Sequence, residues 1–183
     1  MGERSDERGR TLLAIARESL AAALGLGEES PRDEPWLRET GATFITLRAR
    51  GDLRGCVGTI RAFRPLLDDV RSNARAAAFA DSRFPPVPVS EYGGISLEIS
   101  LLSPCEPCAF GCEEEALAQL RPGIDGIVFE LGERRSTFLP QVWEQLPDPW
   151  DFLAHLKRKA GLPPAFWDPG VKLWRYTVMK WVE

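Results

Sequence analysis

Residues 41–60, GATFITLRARGDLRGCVGTI, contain two short apolar runs that meet at a turn. The runs read as two strands of a hairpin, and Gly51-Asp52 between them is typical of a hairpin turn. The second run, DLRGCVGTI, places Cys56 between two glycines. Because glycine weakens the interior of a strand, this pair indicates that another group approaches the backbone closely. Either another part of the fold or a ligand supplies that group.

Helical patterns recur along the rest of the chain. The segment from Thr11, TLLAIARESLAAALGLG, predicts an amphipathic helix that ends at Gly25. Residues 65–80 predict a second helix with an alanine-rich face, and residues 112–120 predict a short third one. Residues 148–161 predict a fourth helix, because Asp148 can cap it, Pro149 fits its first turn and Gly161 can end it.

Strand patterns fill the remaining segments. Residues 95–102, ISLEISLL, alternate apolar and polar side chains, which predicts a half-buried antiparallel strand. Residues 126–140 predict a second hairpin with its turn at Gly132-Glu133, and residues 173–183 predict one final strand. Hairpins placed between helices, without regular β-α-β alternation, predict an α+β fold with mostly antiparallel sheets flanked by helices. The 183 residues suffice for a single domain of two intimately packed lobes, with residues 1–10 flexible.

The composition of the chain bears on whether the protein binds nucleic acid or a membrane, and on its location. The net charge of −4 and the sequence pI of about 5.2 argue against nucleic acid, because they leave no basic field. The chain has no apolar run of about eighteen residues that would span a membrane, and its charged opening lacks the apolar stretch of a signal peptide. These features predict a cytoplasmic location. In that compartment the four cysteines are expected to be free thiols or ligands rather than disulfides.

Cys56 is the candidate catalytic residue. A thiol reacts as its thiolate, and nearby positive charge or backbone N–H groups favour that form. Arg54 supplies a charge two residues away on the same face of a regular strand, and Gly55 and Gly58 let backbone amides point at an anion. The run therefore predicts a nucleophile or an anion-binding cradle, and the alternative is a buried structural cysteine. A base could come from His155, from a lysine or from a carboxylate.

Two further segments carry candidate binding groups. DSRFPP, residues 81–86, holds Arg83 before a rigid proline pair, and such an arginine can bind phosphate or carboxylate through two hydrogen bonds. CEPCAFGC, residues 105–112, brings three cysteines that would, together with Cys56, suffice for zinc or an iron–sulfur cluster. Only one C-x2-C pair is present, and neighbouring prolines already account for a loop. We therefore assign no metal and no cofactor.

Several segments together resemble a known family. They are GATFITLRARGDLRGCVGTI, NARAAAFADSRFPPV, ISLEISLLSP, GIDGIVFE, FLPQVWEQ and KRKAGLPPAFW. Their order resembles that of the AMMECR-type family, called AmmeMemoRadiSam system protein A in bacteria and archaea. The resemblance extends from about Leu12 to the last strand, so residues 1–183 are expected to form one domain of this type. The family hallmark LRGCxG is present as Leu53 to Gly58, with Val57 where isoleucine is common.

The resemblance implies a two-lobed α+β fold in which the hallmark run and DSRFPP lie near a shared cleft. Many members are encoded beside a Memo-like protein, which resembles a non-haem iron dioxygenase, and a radical-SAM enzyme. This association implies a pathway that modifies a biomolecule. Arg54, Cys56, Arg83 and Asp125 match family-typical positions, although Asp125 on its own is typical of a turn. The family often has a cysteine where this chain has Lys157, which argues against a mechanism that requires that thiol.

The sequence leaves two functions open. In the first, the protein is an enzyme of such a pathway, with Memo-like and radical-SAM proteins as partners. Cys56, activated by Arg54, would form a covalent adduct with an anionic small molecule that Arg83 holds. In the second, the protein is a non-catalytic ligand-binding or adaptor module. The LRGCVG run would then cradle an anionic ligand or present a cleft to partner enzymes.

Overall fold

The computed structural model describes residues 2–183, with side chains from residue 6 onward. The chain divides into two compact units. Unit 1 comprises the residues up to Leu102 together with Met179–Glu183, and unit 2 comprises Ser103–Val178. Helices and antiparallel sheets occur in both units, which confirms the predicted α+β fold.

Unit 1 is built on a four-stranded sheet with the strand order β10-β5-β2-β3. Its strands are β2 (Thr43–Ala49), β3 (Asp52–Gly58), β5 (Ile95–Leu102) and β10 (Val178–Val182). The central strand β2 pairs antiparallel with β3 on one side and with β5 on the other. The hairpin predicted from the opening stretch therefore forms, and it leaves β3 at the edge of the sheet. A separate two-stranded ladder joins β1 (Thr40–Gly41) to β4 (Arg64–Pro65).

Two helices cover one face of this sheet. They are α1 (Gly2–Ala23) and α2 (Leu66–Phe79), and both contribute buried side chains to the core. Leu12, Ile15 and Ala16 of α1 follow the spacing of one helix face, and each is at most 1% exposed. On the sheet, Ile45 and Leu47 point into the same core and are fully buried. Because side chains alternate along a strand, Thr46 points to the opposite face.

Unit 2 has its own sheet and its own core. The sheet has the order β6-β9-β7-β8, with every pair antiparallel. Trp143 stacks on Phe152 with ring centroids 3.7 Å apart, inside a cluster of buried apolar residues. The elements of this unit are β6 (Glu106–Pro107), α3 (Glu113–Gln119), β7 (Gly126–Leu131), β8 (Arg134–Phe138), α4 (Pro149–Lys159) and β9 (Lys172–Tyr176).

Three short 3₁₀ helices complete the chain, at Pro35–Arg38, Val89–Gly94 and Pro140–Glu144. Among the helices of the described residues, none is long and apolar enough to cross a membrane. The predicted cap of α4 is confirmed, since the Asp148 carboxylate accepts hydrogen bonds from the backbone N–H groups of Trp150 and Asp151. Gly161 follows that helix with φ of 76°, as a helix-ending glycine does.

Three predicted boundaries were wrong. Helix α1 begins at Gly2 rather than at Thr11, and the buried Gly9 in it packs under the Trp181 ring, where a Cβ would overlap. The flexibility predicted for residues 1–10 stays a prediction, and Met1 lies outside the described residues. The first hairpin turns at Arg50 and Gly51, one residue earlier than predicted. Both residues have positive φ, as this type of two-residue turn requires.

The third correction concerns the C-terminal strand. Residues 173–183 form parts of two strands, β9 and β10, which belong to the sheets of different units. Thr177 separates them, and its backbone N–H and C=O bond to Ser103 instead of continuing a ladder. The alternation of bulky side chains runs through this break, so the pattern alone predicted one strand.

Candidate functional site

The outer edge of β3 is closed at Cys56 by two side chains of the loop after α2. Asp81 accepts a hydrogen bond of 2.8 Å from the Cys56 backbone N–H through Oδ2. Arg83 donates from Nη2 to the Cys56 carbonyl oxygen at 3.3 Å. These two residues, here called the Asp81–Arg83 clasp, satisfy backbone groups that an edge strand otherwise leaves open. The hallmark run and DSRFPP are thus in contact within unit 1, and the shared cleft that the resemblance implied stays a prediction.

The clasp is held by a two-point ion pair. Arg83 donates from Nε to Oδ1 of Asp81 at 2.9 Å and from Nη2 to Oδ2 at 2.7 Å. Hydrogen bonds from Arg83 outweigh burial and, with the N–H of Cys56, hold the pKa of Asp81 well below its usual value of 3.8. The Asp81 side chain is 7% exposed, whereas that of Arg83 is 55% exposed. Asp81 is therefore ionised at neutral pH, and the Arg83 side chain is partly open to solvent.

The Cys56 thiol lies on the sheet face away from α2. Its neighbour Gly55 faces that helix, so alternation turns the thiol to the other side. Thr46 pairs directly with Cys56 across β2 and β3, and its hydroxyl donates to Sγ at 3.3 Å. The thiol is half-buried. The pKa of Arg83 is raised by its hydrogen bond to Asp81, although burial lowers it. The guanidinium lies beside Cys56 through its hydrogen bond to the Cys56 carbonyl oxygen.

Arg54 has other partners than the thiol. In the pairing of β3 with β2, Leu47 lies opposite Gly55 and Arg48 lies opposite Leu53, which leaves Arg54 as an extra residue in a bulge. Its guanidinium donates to Glu91 at 2.8 Å and also to the backbone carbonyls of two prolines, Pro85 and Pro86. Arg54 thus holds the segment 85–91 beside β3, and these contacts leave only 12% of its side chain exposed. Its predicted role as the activator of Cys56 stays a prediction.

The glycines of the hallmark run are explained by packing within the fold. A Cβ at Gly55 would overlap the Ala77 carbonyl oxygen of α2, and a Cβ at Gly58 would overlap the Phe44 ring. The close approach that the sequence indicated is therefore made by α2 and by β2. The ligand-binding role predicted for both glycines stays a prediction, since neither backbone needs a ligand to account for it.

Asp125 belongs to unit 2, whereas Cys56 and the clasp belong to unit 1. Its fully buried carboxylate accepts hydrogen bonds from the Arg121 backbone and guanidinium, at 2.6–3.1 Å. Its carbonyl oxygen accepts from the Trp143 indole at 2.7 Å. These contacts fix the turn before β7, which agrees with the turn-forming interpretation of this residue. Its predicted ligand-binding role stays a prediction.

The other candidates also lie in unit 2. Among the described residues, no group of three or more His, Cys, Asp or Glu side chains is arranged to hold a metal ion. Cys108 is half-buried against the core of the unit, and burial raises the pKa of its thiol. His155 is exposed on α4 beside Arg158, with 3.3 Å between the two side-chain nitrogens. Lys157 is 1% exposed, forms an ion pair with Glu113 and donates to the Phe166 carbonyl, so it joins α3 to α4.

Asp81 and Thr46 were missed by the sequence analysis, although both contact Cys56. A sequence signal existed for Asp81, whereas the position of Thr46 depends on a bulge. Asp81 opens the same DSRFPP segment that drew attention to Arg83. For Thr46, counting back from the turn at Arg50 and Gly51 puts Gly55 opposite it, and the bulge at Arg54 shifts the pairing to Cys56. The turn prediction was one residue off, and a register shift of this size changes every pair.

The fold and the site together define the class of protein. It is an α+β protein with a half-buried cysteine, Cys56, on an edge strand, and the Asp81–Arg83 clasp binds the backbone of that strand. A family model described as AMMECR1 matches residues 13–181. The chain belongs to the AMMECR1 family, which confirms the resemblance drawn from the six segments.

Relatives and a solved structure agree with this assignment. A protein of Methanothermobacter thermautotrophicus is 37% identical over 177 residues, covering 94% of this chain and 92% of its own length. Protein MJ0810 of Methanocaldococcus jannaschii is 40% identical over 144 residues, covering 75% of this chain and 71% of its own. The crystal structure of uncharacterized protein PH0010 from Pyrococcus horikoshii is similar, with a TM-score of 0.84 and 33% identity. That likeness covers 97% of this chain and 92% of the other.

Proposed function

We propose that the protein is a cytoplasmic enzyme of a biomolecule-modifying pathway and that Cys56 is its nucleophile. The observation that carries the proposal is the setting of the half-buried thiol. It accepts a hydrogen bond from the Thr46 hydroxyl at 3.3 Å, and the Arg83 guanidinium bonds to the Cys56 carbonyl oxygen at 3.3 Å. A hydrogen-bond donor and a nearby cation both stabilise a thiolate. The clasp supports this setting by fixing the backbone on either side of Sγ.

The substrate in this proposal is an anionic small molecule with an electrophilic carbon. Arg83 donates from Nε and Nη2 to Asp81 and to the Cys56 carbonyl oxygen, and its side chain is half exposed. Its remaining nitrogen, Nη1, can therefore donate to a carboxylate or phosphate of the substrate. The thiol gives its proton to solvent, and the thiolate forms a C–S bond with an acyl carbon. The leaving group departs with the electron pair of the broken bond and takes a proton from water. Asp81 does not act as the base, because its lowered pKa makes its carboxylate a poor proton acceptor.

The test measures how fast each cysteine of the folded protein reacts with iodoacetamide at neutral pH, resolved by peptide mass spectrometry. Cys56 is expected to react at least tenfold faster than Cys108, because burial of the Cys108 thiol disfavours its thiolate form. Replacing Thr46 by valine removes the hydroxyl donor and is expected to slow Cys56 about threefold to tenfold. Thr46→Ser keeps a hydroxyl and serves as the matched control, with a rate close to that of the wild type. A Cys56 that reacts only after unfolding would contradict the proposal.

A second candidate function is favoured by one observation. Among the described residues, the only hydrogen bond given to Sγ of Cys56 comes from a hydroxyl, not from a histidine, lysine or carboxylate. A binding or adaptor module needs no base, and in that case Arg83 and Arg54 would carry recognition. Arg83→Ala would then weaken ligand binding while Cys56→Ala would leave it almost unchanged. If Cys56→Ser instead abolishes turnover and leaves the fold intact, the enzyme is favoured.

The partners in this proposal are a Memo-like protein and a radical-SAM protein. Membership of the AMMECR1 family supports it, through the association that the resemblance implies. Purified partners and this chain are expected to elute together on size-exclusion chromatography, or to transfer a modified small molecule from one to the next. If the proteins elute separately and no small molecule is transferred, the proposed partnership is contradicted. The proposal that Cys56 is a nucleophile is tested separately, by the alkylation experiment.

A further inference from the structure

A group of three charged side chains lies on the same sheet face as the Cys56 thiol. Glu98 of β5 accepts from Arg48 Nε at 2.5 Å and from Lys180 Nζ at 2.6 Å. Burial raises the pKa of Glu98, but hydrogen bonds from Lys180 and Arg48 outweigh it, so the pKa is lowered. Glu98 therefore remains ionised, and two cations share one carboxylate. This group, here called the charged triad, carries one net positive charge.

The triad and the thiol lie in line across the sheet. Cys56 of β3 pairs with Thr46 of β2, and Thr46 pairs with Glu98 of β5, so the three occupy one row. Neighbouring strands are about 4.8 Å apart, which puts the Glu98 position roughly 10 Å from that of Cys56. Both cations remain accessible, since Arg48 is 37% and Lys180 is 48% exposed.

Positive charge therefore flanks the thiol on two sides. Arg83 lies beyond the outer edge of β3, where it bonds to the Cys56 carbonyl. The triad lies on the inner side, across β2, and Thr46 stands between it and the thiol. An extended molecule that places its reactive carbon at Sγ can set one end against each cationic group. At the triad, the acidic group of the ligand shares Arg48 and Lys180 with Glu98.

We propose that the charged triad is a second anion-binding subsite of the Cys56 site. The ligand is then a small molecule with two acidic groups, carboxylate or phosphate, on either side of its reactive carbon. Arg83 binds one group, and Arg48 with Lys180 binds the other. This inference rests on the proposed function, because it takes Cys56 as the reacting atom, and it adds the charge pattern and length of the substrate.

The test uses two thiol reagents that differ only in charge, maleimidohexanoic acid and its amide. In both, the Cys56 sulfur forms a C–S bond to one alkene carbon as the π bond breaks, and the adjacent carbon takes a proton from water. The hexanoic chain lets the carboxylate reach across the strands. Rates at Cys56 are read by peptide mass spectrometry, and the measured quantity is the rate with the acid divided by the rate with the amide.

The wild type is expected to prefer the acid. Arg48→Gln and Lys180→Gln should each lower the ratio roughly threefold to fivefold, the size of effect that a half-exposed ion pair gives. Glu98→Gln should raise the ratio, because it frees both cations, and a change in this direction cannot come from loss of folding. Arg38→Gln is the matched control, since it removes a 74% exposed cation of the same unit from the segment Pro35–Arg38, which contacts α2.

The outcomes separate this inference from the function beneath it. A Cys56 that ignores both reagents in the folded protein overturns the proposed function and this inference together. A reactive Cys56 with the same acid-to-amide ratio in the wild type, Arg48→Gln and Lys180→Gln overturns only the second subsite. An equal fall of the ratio in Arg38→Gln also overturns it, because net charge would then explain the effect.

Discussion

At the scale of single residues, the backbone of Cys56 is bound by two side chains and its half-buried sulfur by one. Asp81 and Arg83 bind its N–H and its carbonyl oxygen, and Thr46 is the hydrogen-bond donor to Sγ. The backbone contacts have a structural use, because they close an edge strand. The thiol contact has no comparable structural use, since a hydroxyl–thiol hydrogen bond is weak. This contrast favours a chemical role for the sulfur.

The first prediction concerns Asp81→Asn. The change replaces the charged partner of Arg83 and is expected to lower the free energy of unfolding at pH 7 by about 1–2 kcal/mol, a modest value because Arg83 is half exposed. Since the pKa of Asp81 is lowered in the folded protein, its stabilisation is present above pH 3.8 and is lost as the pH falls below that value. The difference between wild type and variant should therefore shrink below pH 3.8.

Urea unfolding of both proteins at pH 7 and at pH 3 measures this difference. Ser82→Ala, in the same loop, is the control for an exposed neighbouring side chain and should change little at either pH. A difference between wild type and Asp81→Asn that stays constant with pH would show that the carboxylate charge does not hold the clasp.

The sequence predicted Cys56 and Arg83 because each stands in a short run of unusual composition. It did not reveal Asp81 or Thr46, because their significance depends on tertiary contacts. Asp81 reaches β3 from the far end of α2, 25 positions along the chain. An aspartate before a turn and a threonine in a strand are ordinary residues in those places. Only the pairing of the elements makes them neighbours of the thiol.

At the scale of elements, the contact between β3 and α2 sets the geometry of the site. The alanine-rich face of α2 lets the helix approach so closely that the strand has room only for glycine at position 55. Elements with strong local patterns were predicted from the sequence, including α2, β5, the hairpin of β7 with β8, and the cap of α4. The break at Thr177 was missed because it is made by Ser103, a partner 74 positions away. Local patterns carry no information about such a partner.

The second prediction concerns Gly55→Ala. The new methyl group would overlap the Ala77 carbonyl oxygen, which belongs to a helix backbone and cannot rotate away. We expect a loss of roughly 1–3 kcal/mol or more in the free energy of unfolding, as overpacked sites show. Gly94→Ala is the matched control, since nothing lies within 4 Å of its added Cβ and its φ is not in the left-handed region.

Thermal and urea unfolding of the two alanine variants decide this point. A Gly55→Ala protein as stable as Gly94→Ala would mean that α2 does not press on β3, and the glycine would then need another explanation. In that case a ligand approaching the backbone at Gly55 becomes the better account of the hallmark run.

At the scale of the whole molecule, each unit has a separate apolar core. The core of unit 2 is closed near β9 by Tyr176, which is 1% exposed and bonds through its hydroxyl to Thr137 at 3.0 Å and to the Phe138 carbonyl at 3.2 Å. The tyrosine ring covers Gly126, where a Cβ would overlap it. The phenol thus ties β9 to β8, and its hydrogen bond to the Phe138 carbonyl requires the neutral form.

The third prediction follows from this phenol. Burial, partly opposed by the Thr137 hydrogen bond, raises the pKa of Tyr176 from 10.0 to about 12. The unfolded chain therefore loses this proton at a lower pH than the folded chain, and the stabilisation declines as the pH rises from 10 to 12. Each unit of difference is worth about 1.4 kcal/mol, so the loss approaches roughly 3 kcal/mol.

Tyr176→Phe is the variant that isolates this effect. Its free energy of unfolding should be lower than that of the wild type at pH 8, because two hydrogen bonds are lost. Between pH 10 and pH 12, the free energy of unfolding of the variant should fall less steeply than that of the wild type. Other groups titrate in both proteins, but the variant lacks the Tyr176 phenol. Equal slopes in Tyr176→Phe and wild type would contradict the prediction.

The position of β10 has a consequence for synthesis on the ribosome. Unit 2 occupies the chain between β5 and β10, so all of Ser103–Val178 is translated before β10 can join the sheet of unit 1. Until then β5 is an open edge, Gly9 lacks the Trp181 ring that covers it, and Glu98 has one cation instead of two. Domains usually complete their folding in the order of their synthesis. Here the unit that is begun first is finished last, and a nascent chain exposes an unpaired strand edge while its neighbour folds.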